Sequence, residues 1–373
     1  MTVVVVGGGV LGLMHAVEAL RRGHDVVHLE REPGPRGASV RNFGLIWLSG
    51  RAGGLELDLA RRSRARWEEL ALDAPGIGFR AHGSLTLATD EAELSLLKEA
   101  AARPDAGLRG LELLDPAAVR EVNPALRGEF TGGLHGRLDA IVEPRTVPAA
   151  LRGYLSGGRH GYSWLPGHEA VQVTPHAVRD HTGSWHRGDL VVLCTGAVHT
   201  GLAGPHLAGW ERPPVRRVRL QMLETGPFGP ALTTSVADGD SLRYYPAYDL
   251  PGRARLAAQP AVAAEVGAQL LLVQRLDGSL TIGDTHEYTE PFAFDVDERP
   301  YQHLLSQAER LLGAAVPAVR RRWAGVYSQV TGDDLYHRSA VAPGVVLVTG
   351  PGGRGMTCAP AIAEDTFRRE EGS

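Results

Sequence analysis

Residues 3–30 read VVVVGGGVLGLMHAVEALRRGHDVVHLE, and this stretch decides the fold. Val3 to Val6 is apolar and β-branched throughout, the pattern of a parallel strand covered on both faces. Gly7, Gly9 and Gly12 then stand on a G-x-G-x-x-G spacing. A helical pattern runs from Leu11 to Arg22 and stops at Gly23, and residues 24–29 read as a second strand ending at Glu30. Strand, glycine turn, helix, strand and terminal acid in this order are the βαβ fingerprint of a dinucleotide-binding fold. Gly7 permits the tight turn, Gly9 lets a pyrophosphate approach the backbone, and Gly12 lets the helix pack close to the strand. The free N–H groups at the helix start, around Val10 and Leu11, carry partial positive charge for phosphates. Glu30, with Arg31 beside it, is placed at the ribose, where an acid disfavours a 2′-phosphate. Glycine is abundant, 47 of 373 residues, so the spacing alone would carry little; the full set of elements carries the assignment.

The same spacing recurs at Gly350, Gly352 and Gly355, after the apolar strand at 345–349. A second nucleotide-binding unit would need a helix, a strand and an acid about 20 residues on. Only one helix-sized segment follows. The second loop is therefore expected to close the first nucleotide fold, an arrangement that suits a bound flavin better than a dissociable nicotinamide.

Composition removes several classes. Lys plus Arg is 39 against 43 for Asp plus Glu, a net charge of −4, which argues against bulk electrostatic binding of nucleic acid. Lys98 is the sole lysine and lies in the acidic, helix-like stretch EAELSLLKEA. A P-loop needs a lysine in its glycine loop and a pyridoxal phosphate enzyme needs one in a pocket, so both are excluded as expectations. Two cysteines, Cys194 and Cys358, make neither a disulfide framework nor a thiolate zinc site and read as small buried hydrophobes. Asp333, Asp334 and His337 supply too few ligands for a hard metal, so no metal is expected. No apolar run approaches a membrane span, and no basic segment precedes Val3. The expectation is a soluble cytoplasmic protein with no membrane or nucleic-acid partner.

The chain resembles the D-amino-acid oxidase superfamily, which includes glycine oxidase and sarcosine oxidase. The resemblance is carried by VVVVGGGVLGL at the start, Glu30, LVVLCTGAV at 190–198 and VTGPGGRGMTCAPAIAED at 348–365. It implies an α/β fold: a Rossmann-type FAD-binding domain, discontinuous over 1–80, 140–212 and 330–373. An antiparallel-sheet α+β substrate domain, 81–139 and 213–329, is inserted into it. It implies non-covalent FAD. It implies that Val171 pairs its backbone with adenine and that Thr195 and Gly196 lie near the dinucleotide. It places Gly352, Gly353, Arg354, Gly355, Met356 and Thr357 at the flavin pyrimidine end, where N–H groups stabilise negative charge on reduced flavin. Ser39, Arg41 and Asn42 fall where the family brings the chain past the flavin, with Asn42 bonding the ring system and Arg41 near substrate. The stretches GASVRNFGLIW at 37–47, LRYYPAY at 242–248 and DGSLTIGDTHEY at 277–288 resemble flavoproteins linked to phosphonate breakdown. That implies oxidation of the C–N bond of a small anionic amine such as 2-aminoethylphosphonate or an N-alkyl derivative. The imine hydrolyses to an aldehyde and O2 is reduced to H2O2. The alternatives are an oxidase of a small amino acid, a flavin dehydrogenase passing electrons to a partner, and a non-catalytic nucleotide-binding module.

Candidate substrate residues follow from these stretches. Glycine oxidase-like enzymes carry a carboxylate-clamping arginine after a W-x-G-x segment; here Trp323-Ala324-Gly325-Val326 is followed by Tyr327. Arg243, Tyr244 and Tyr245 alternate along an expected strand, so Arg243 and Tyr245 share a face as an anion-binding pair. His286 sits in GDTHEY, neutral near an amine or cationic near a phosphonate. No residue is assigned as a general base. Helices are expected at 55–72, 90–102, 115–122 and 301–312, a strand at 83–89, and strand-rich structure from 213 to 329.

Overall fold

The computed structural model describes residues 1–158, 160–208 and 213–372, so the domain boundary expected at 212 lies outside them. Thr2–Val6 is an inner strand of a six-stranded sheet. The order is His337–Ala342, Val345–Thr349, Leu190–Leu193, Thr2–Val6, Asp25–Glu30, Tyr162–Pro166. All pairings are parallel except that of the first two strands. Strand alternation divides its valines. Val3 and Val5 pack with the core under the helices Val10–Arg21, Leu55–Asp73 and Gly355–Glu371. Val4 and Val6 pack on the other face with Val178 of a small three-stranded sheet. There Asp180 Oδ2 accepts from His168 Nδ1 and His186 Nε2, both at 2.8 Å, which ties that sheet to the loop before it.

The last helix, Gly355–Glu371, contains Pro360. Proline has no N–H for the carbonyl four residues back, that of Met356. Trp67 Nε1 donates to that oxygen at 3.0 Å instead, and Ser63 Oγ accepts from Ala361 N at 3.1 Å. The proline thus becomes the docking point of two helices, with Trp67 fully buried between them.

The second sheet has eight strands, drawn from 84–136 and 215–330. Its long edge pair, Val215–Pro227 with Val319–Val330, is antiparallel. The sheet is not wholly antiparallel, because Ser235–Ala237 runs parallel to Ser84–Ala88. Leu45–Ile46 and Ala140–Ile141 form a short ladder of their own. The expected helices form at Leu55–Asp73, Glu91–Ala101, Pro116–Val122 and Glu298–Leu312, with Asp90 and Asp115 accepting from Glu93 N and Ala118 N at their starts.

One expected strand is corrected. Residues 241–244 form a helical turn, Ser241–Tyr244. The Asp238 carboxylate accepts from Asp240 N and Leu270 N, both at 3.1 Å, and Ser241 N donates to Asp238 O at 3.2 Å. This Asx turn rolls into a helix turn rather than a strand, so the period-of-two argument for Arg243 and Tyr245 lapses.

Replacing Trp67 by Phe keeps the ring but orphans Met356 O, which should cost about 1–3 kcal/mol of stability; urea titration measures it, and an unchanged midpoint would count against the docking role. His15 and His28 are fully buried, and burial pulls both imidazoles from 6.5 down to about 4. Below pH 6.5 the unfolded chain binds protons that the folded chain refuses. Stability is therefore complete above about 6.5 and is lost as pH falls toward 4. Unfolding free energy should fall between about pH 7 and 5, and His28→Gln should flatten that fall by up to ~1.4 kcal/mol per pH unit.

Candidate active site

A cavity of about 710 Å³ lies along the C-terminal ends of the parallel strands and reaches the second sheet. Crevices at strand carboxyl ends are where such folds bind ligands. Gly7 turns with φ +105°, and a side chain there would meet Cys194 O at 2.2 Å. A Cβ on Gly12 would sit 1.8 Å from Gly7 O, so Gly12 is a packing glycine outside the cavity. Gly9 differs: a Cβ there meets only Ser39 Oγ, at 3.1 Å, and Gly9 lines the cavity. Val10 N donates to Ser39 Oγ at 2.8 Å at the start of the helix. Glu30 lines the cavity and accepts from Gly8 N at 2.6 Å and Glu32 N at 3.0 Å, leaving acceptor capacity for hydroxyls. Thr195 Oγ1, on the same wall, is buried without a hydrogen-bond partner among the described residues. These features fit a dinucleotide: a bare glycine facing the space, helix N–H groups, a carboxylate at the strand end and a waiting hydroxyl.

Leu11, Arg31, Arg41, Gly196, Gly352, Gly353, Gly355 and Met356 also line the cavity. Several expectations are corrected. Arg354 turns away, its guanidinium bonded to Glu56 Oε1 (3.2 Å) and Leu335 O (2.9 Å). Thr357 lies beneath the wall, accepting from Trp47 N at 3.0 Å and donating to Leu45 O at 3.1 Å. Asn42 borders the cavity, but its amide donates to Ala38 O and Ser39 O and accepts from Gly44 N at 2.6 Å, so it folds its own loop. The backbone pairing of Val171 with adenine is not among these corrections: Ala170 beside it lines the cavity, and Val171 is half exposed at a register shift.

The far end is aromatic. Trp47 stacks on Tyr245 at 5.7 Å, Tyr244 stacks on His286 at 4.0 Å, and Tyr244 meets Tyr245 edge to face at 5.1 Å. The Tyr244 and Tyr327 hydroxyls are 3.4 Å apart. Burial pushes the Tyr244 phenol up to about 12 and Tyr245 and Tyr327 well above 10, so all three are neutral donors at pH 7. Arg41 Nη1 donates to Ala324 O at 3.0 Å.

Arg243 does not reach this space. Its guanidinium bonds Asp240 Oδ1 at 3.3 Å and the Ala257 carbonyl, because the helical turn at Ser241–Tyr244 sends Tyr244, not Arg243, inward. The buried guanidinium that does line the cavity is Arg51, 6% exposed and 5.9 Å over the Tyr245 ring. Its turn is locked from both sides. Asp139 accepts from Leu48 N and Ser49 N, and Arg109 Nη1 donates to the Leu48, Ser49 and Arg51 carbonyls. Arg51 Nε donates to Trp47 O at 2.9 Å, and Arg51 and Arg354 share the single carboxylate of Glu56. Two guanidiniums on one carboxylate leave positive charge at the wall. Arg51, Tyr244, Gln269 and Asp284 were not singled out by the sequence; Asp284 stood two residues before His286 in the quoted GDTHEY.

The profile of the family described as DAO, FAD dependent oxidoreductase, matches residues 2–369. No curated protein sequence matches the chain. Glycine oxidase from Bacillus cereus ATCC 14579 superposes with a TM-score of 0.77 at 19% identity, over 100% of this chain and 95% of that one. Iminodiacetate oxidase from Chelativorans sp. BNC1 gives 0.73 at 19%, over 97% and 93%. Dithionite-reduced L-α-glycerophosphate oxidase from Mycoplasma pneumoniae, with FAD bound, gives 0.75 at 17%, over 99% and 94%. At these identities the likeness is one of fold. The family profile covers nearly the whole chain, and with the dinucleotide cradle beneath it the protein belongs to the FAD dependent oxidoreductases, with FAD as its cofactor.

Proposed function

We propose that the protein oxidises the C–N bond of a small amine bearing an anionic group, an aminophosphonate such as 2-aminoethylphosphonate or an N-alkyl derivative. The imine formed hydrolyses to an aldehyde, and O2 is reduced to H2O2. FAD, when bound, supplies the two-electron acceptor. The observation that carries this reading is the pair of opposite buried charges at the aromatic end, Arg51 and Asp284, both on the cavity wall. A zwitterion answers both the excess positive charge left where Arg51 and Arg354 share Glu56 and the Asp284 carboxylate, whereas an apolar substrate answers neither.

Three further points favour a phosphonate. Tyr327, in the place of the carboxylate clamp, lines the cavity as a neutral phenol. Three phenols and a guanidinium offer donors to a group with three acceptor oxygens. The stretches at 37–47, 242–248 and 277–288, far apart in the chain, all supply walls at this end. The solved relatives named for glycine and iminodiacetate concern amines that carry carboxylates, and a small amino acid is the second reading. The aromatic walls keep water from the amine, which lowers the cost of its neutral form.

The purified protein should be yellow, and acid precipitation should release the chromophore; colour left in the pellet would show a covalent link. Gly9→Ala should fold but lose FAD, because its Cβ meets no protein atom but the Ser39 hydroxyl, at 3.1 Å, and otherwise enters the ligand space. Gly12→Ala should fail to fold, because its Cβ strikes Gly7 O. Circular dichroism beside flavin absorbance separates the two.

Anaerobic mixing should show faster bleaching of the flavin band by 2-aminoethylphosphonate or its N-methyl derivative than by glycine, sarcosine or D-alanine. Arg51→Ala should raise KM roughly 10- to 150-fold, the equivalent of losing about 1.5–3 kcal/mol of charged hydrogen bonding. Arg243→Ala should leave KM unchanged. Faster bleaching by an amino acid would discard the phosphonate and keep the amine oxidase; electron transfer to an artificial acceptor without peroxide would make the enzyme a dehydrogenase.

A further inference from the structure

Asp284 is a carboxylate in an unusual position. It lines the cavity, is 6% exposed, and has no arginine or lysine within 4 Å among the described residues. Its one basic neighbour within 4 Å among the described residues is His286, with Nε2 3.9 Å from Oδ2. His286 Nδ1 donates to Gly267 O at 3.1 Å, so in the neutral ring Nε2 holds a lone pair toward Asp284 and gives it no proton. A buried carboxylate without a cation is costly unless a ligand brings one.

Gln269 makes the same demand independently. It lies on the same wall, and its Nε2 donates to Asp284 Oδ1 at 3.2 Å. Its Oε1 is buried with no hydrogen-bond partner among the described residues. The two residues are clamped by reciprocal backbone bonds, Gln269 N to Asp284 O at 3.0 Å and Asp284 N to Gln269 O at 2.8 Å. A rigid pair of acceptors, one charged and one neutral, therefore faces a space walled by Tyr244, Tyr245 and Tyr327.

We propose that Asp284 and Gln269 form the subsite for the substrate's ammonium group, and that Asp284 accepts the proton that group must lose before its C–N bond is oxidised. This inference rests on the amine-oxidase reading above. In the transfer, an N–H bond of the ammonium breaks, its electron pair stays on nitrogen as the amine lone pair, and the proton forms an O–H bond on Oδ2. Ammonium and carboxylate become amine and carboxylic acid, with no change in total charge. Gln269 Oε1 accepts a second N–H and holds the amine while the proton moves. Burial raises the Asp284 carboxyl above the ordinary range, which brings acid and ammonium closer in strength and makes the transfer less uphill. The titratable groups facing Asp284 are His286 and the phenols of Tyr244, Tyr245, Tyr288 and Tyr327, and the phenols stay neutral across the working range.

The test uses the FAD-loaded protein, Asp284→Asn and Gln269→Met. Each is titrated with 2-aminoethylphosphonate and with ethylphosphonate, and with glycine and acetate, following the flavin spectrum. Asp284→Asn should weaken binding of the amine member of the preferred pair at least 30-fold and leave its amine-free partner within about threefold; Gln269→Met should shift the same ratio by a smaller factor. Flavin reduction by Asp284→Asn should be at least 100-fold slower at neutral pH and should climb with pH toward the free amine's own pKa, about 10, where wild type is already level. Equal loss for amine and amine-free ligands, or a variant with the wild-type rate and pH profile, overturns the assignment. Should amines bind wild type without reducing its flavin, the oxidase reading fails, and the binding ratios still decide whether the ammonium subsite exists.

Discussion

The carbonyl of Gly7 is where four parts of the chain meet, and the site depends on that meeting. Gly12 lies so close to it that a single Cβ would come within 1.8 Å of the oxygen. His28 Nε2 donates to the same oxygen at 3.0 Å from the next strand, while Cys194 O closes on the Gly7 α-carbon from the strand on the other side. Helix, both neighbouring strands and the turn are thereby fixed to one peptide. The helix N-terminus, Glu30 and the loop at Thr195 can surround one ligand because their origins are pinned within a few ångströms. Burial keeps His28 neutral, which sets its tautomer: Nε2 carries the hydrogen, and Nδ1 accepts from Tyr162 at 3.1 Å.

The second end of the cavity is assembled differently. No local motif makes it. Arg51 comes from a turn held by two buried groups of opposite charge, Asp139 on the N–H side and Arg109 on the carbonyl side. Asp284 and Gln269 come from a reciprocally bonded backbone pair just beyond the ends of two paired strands, Leu271–Gln274 and Ser279–Gly283, Tyr327 from a long edge strand, and Tyr244 from a helical turn set by Asp238. A charge of each sign is thus buried on the cavity wall by separate supports, with aromatic rings on the same wall. Such an arrangement destabilises an empty site and rewards a ligand that carries both complementary charges.

The nucleotide half was legible because its chemistry is written in local spacing. The glycines at 7, 9 and 12, the valine run and Glu30 each follow from backbone sterics within 28 residues. The helices with Asp90 and Asp115 at their starts were legible for the same reason. Arg243 failed because its residues were read as extended, and an Asx turn competes locally with a strand. The amide of Asn42, on the cavity border, and the guanidinium of Arg354, turned from it, were not legible because their positions in the sequence said nothing about which groups would claim their donors.

The sequence by itself determined the dinucleotide fold, its closing by the second glycine loop, and the absence of an arginine at residue 327. These are properties of short stretches, where φ angles, alternation and missing side chains act between near neighbours. Only the tertiary structure decided which charges line the cavity. Arg51 and Asp284 are separated by more than two hundred residues, and each is buried by partners from other elements. Whether a charged side chain is solvated, paired or left waiting in a cavity depends on what long-range packing brings beside it, and no local pattern encodes that.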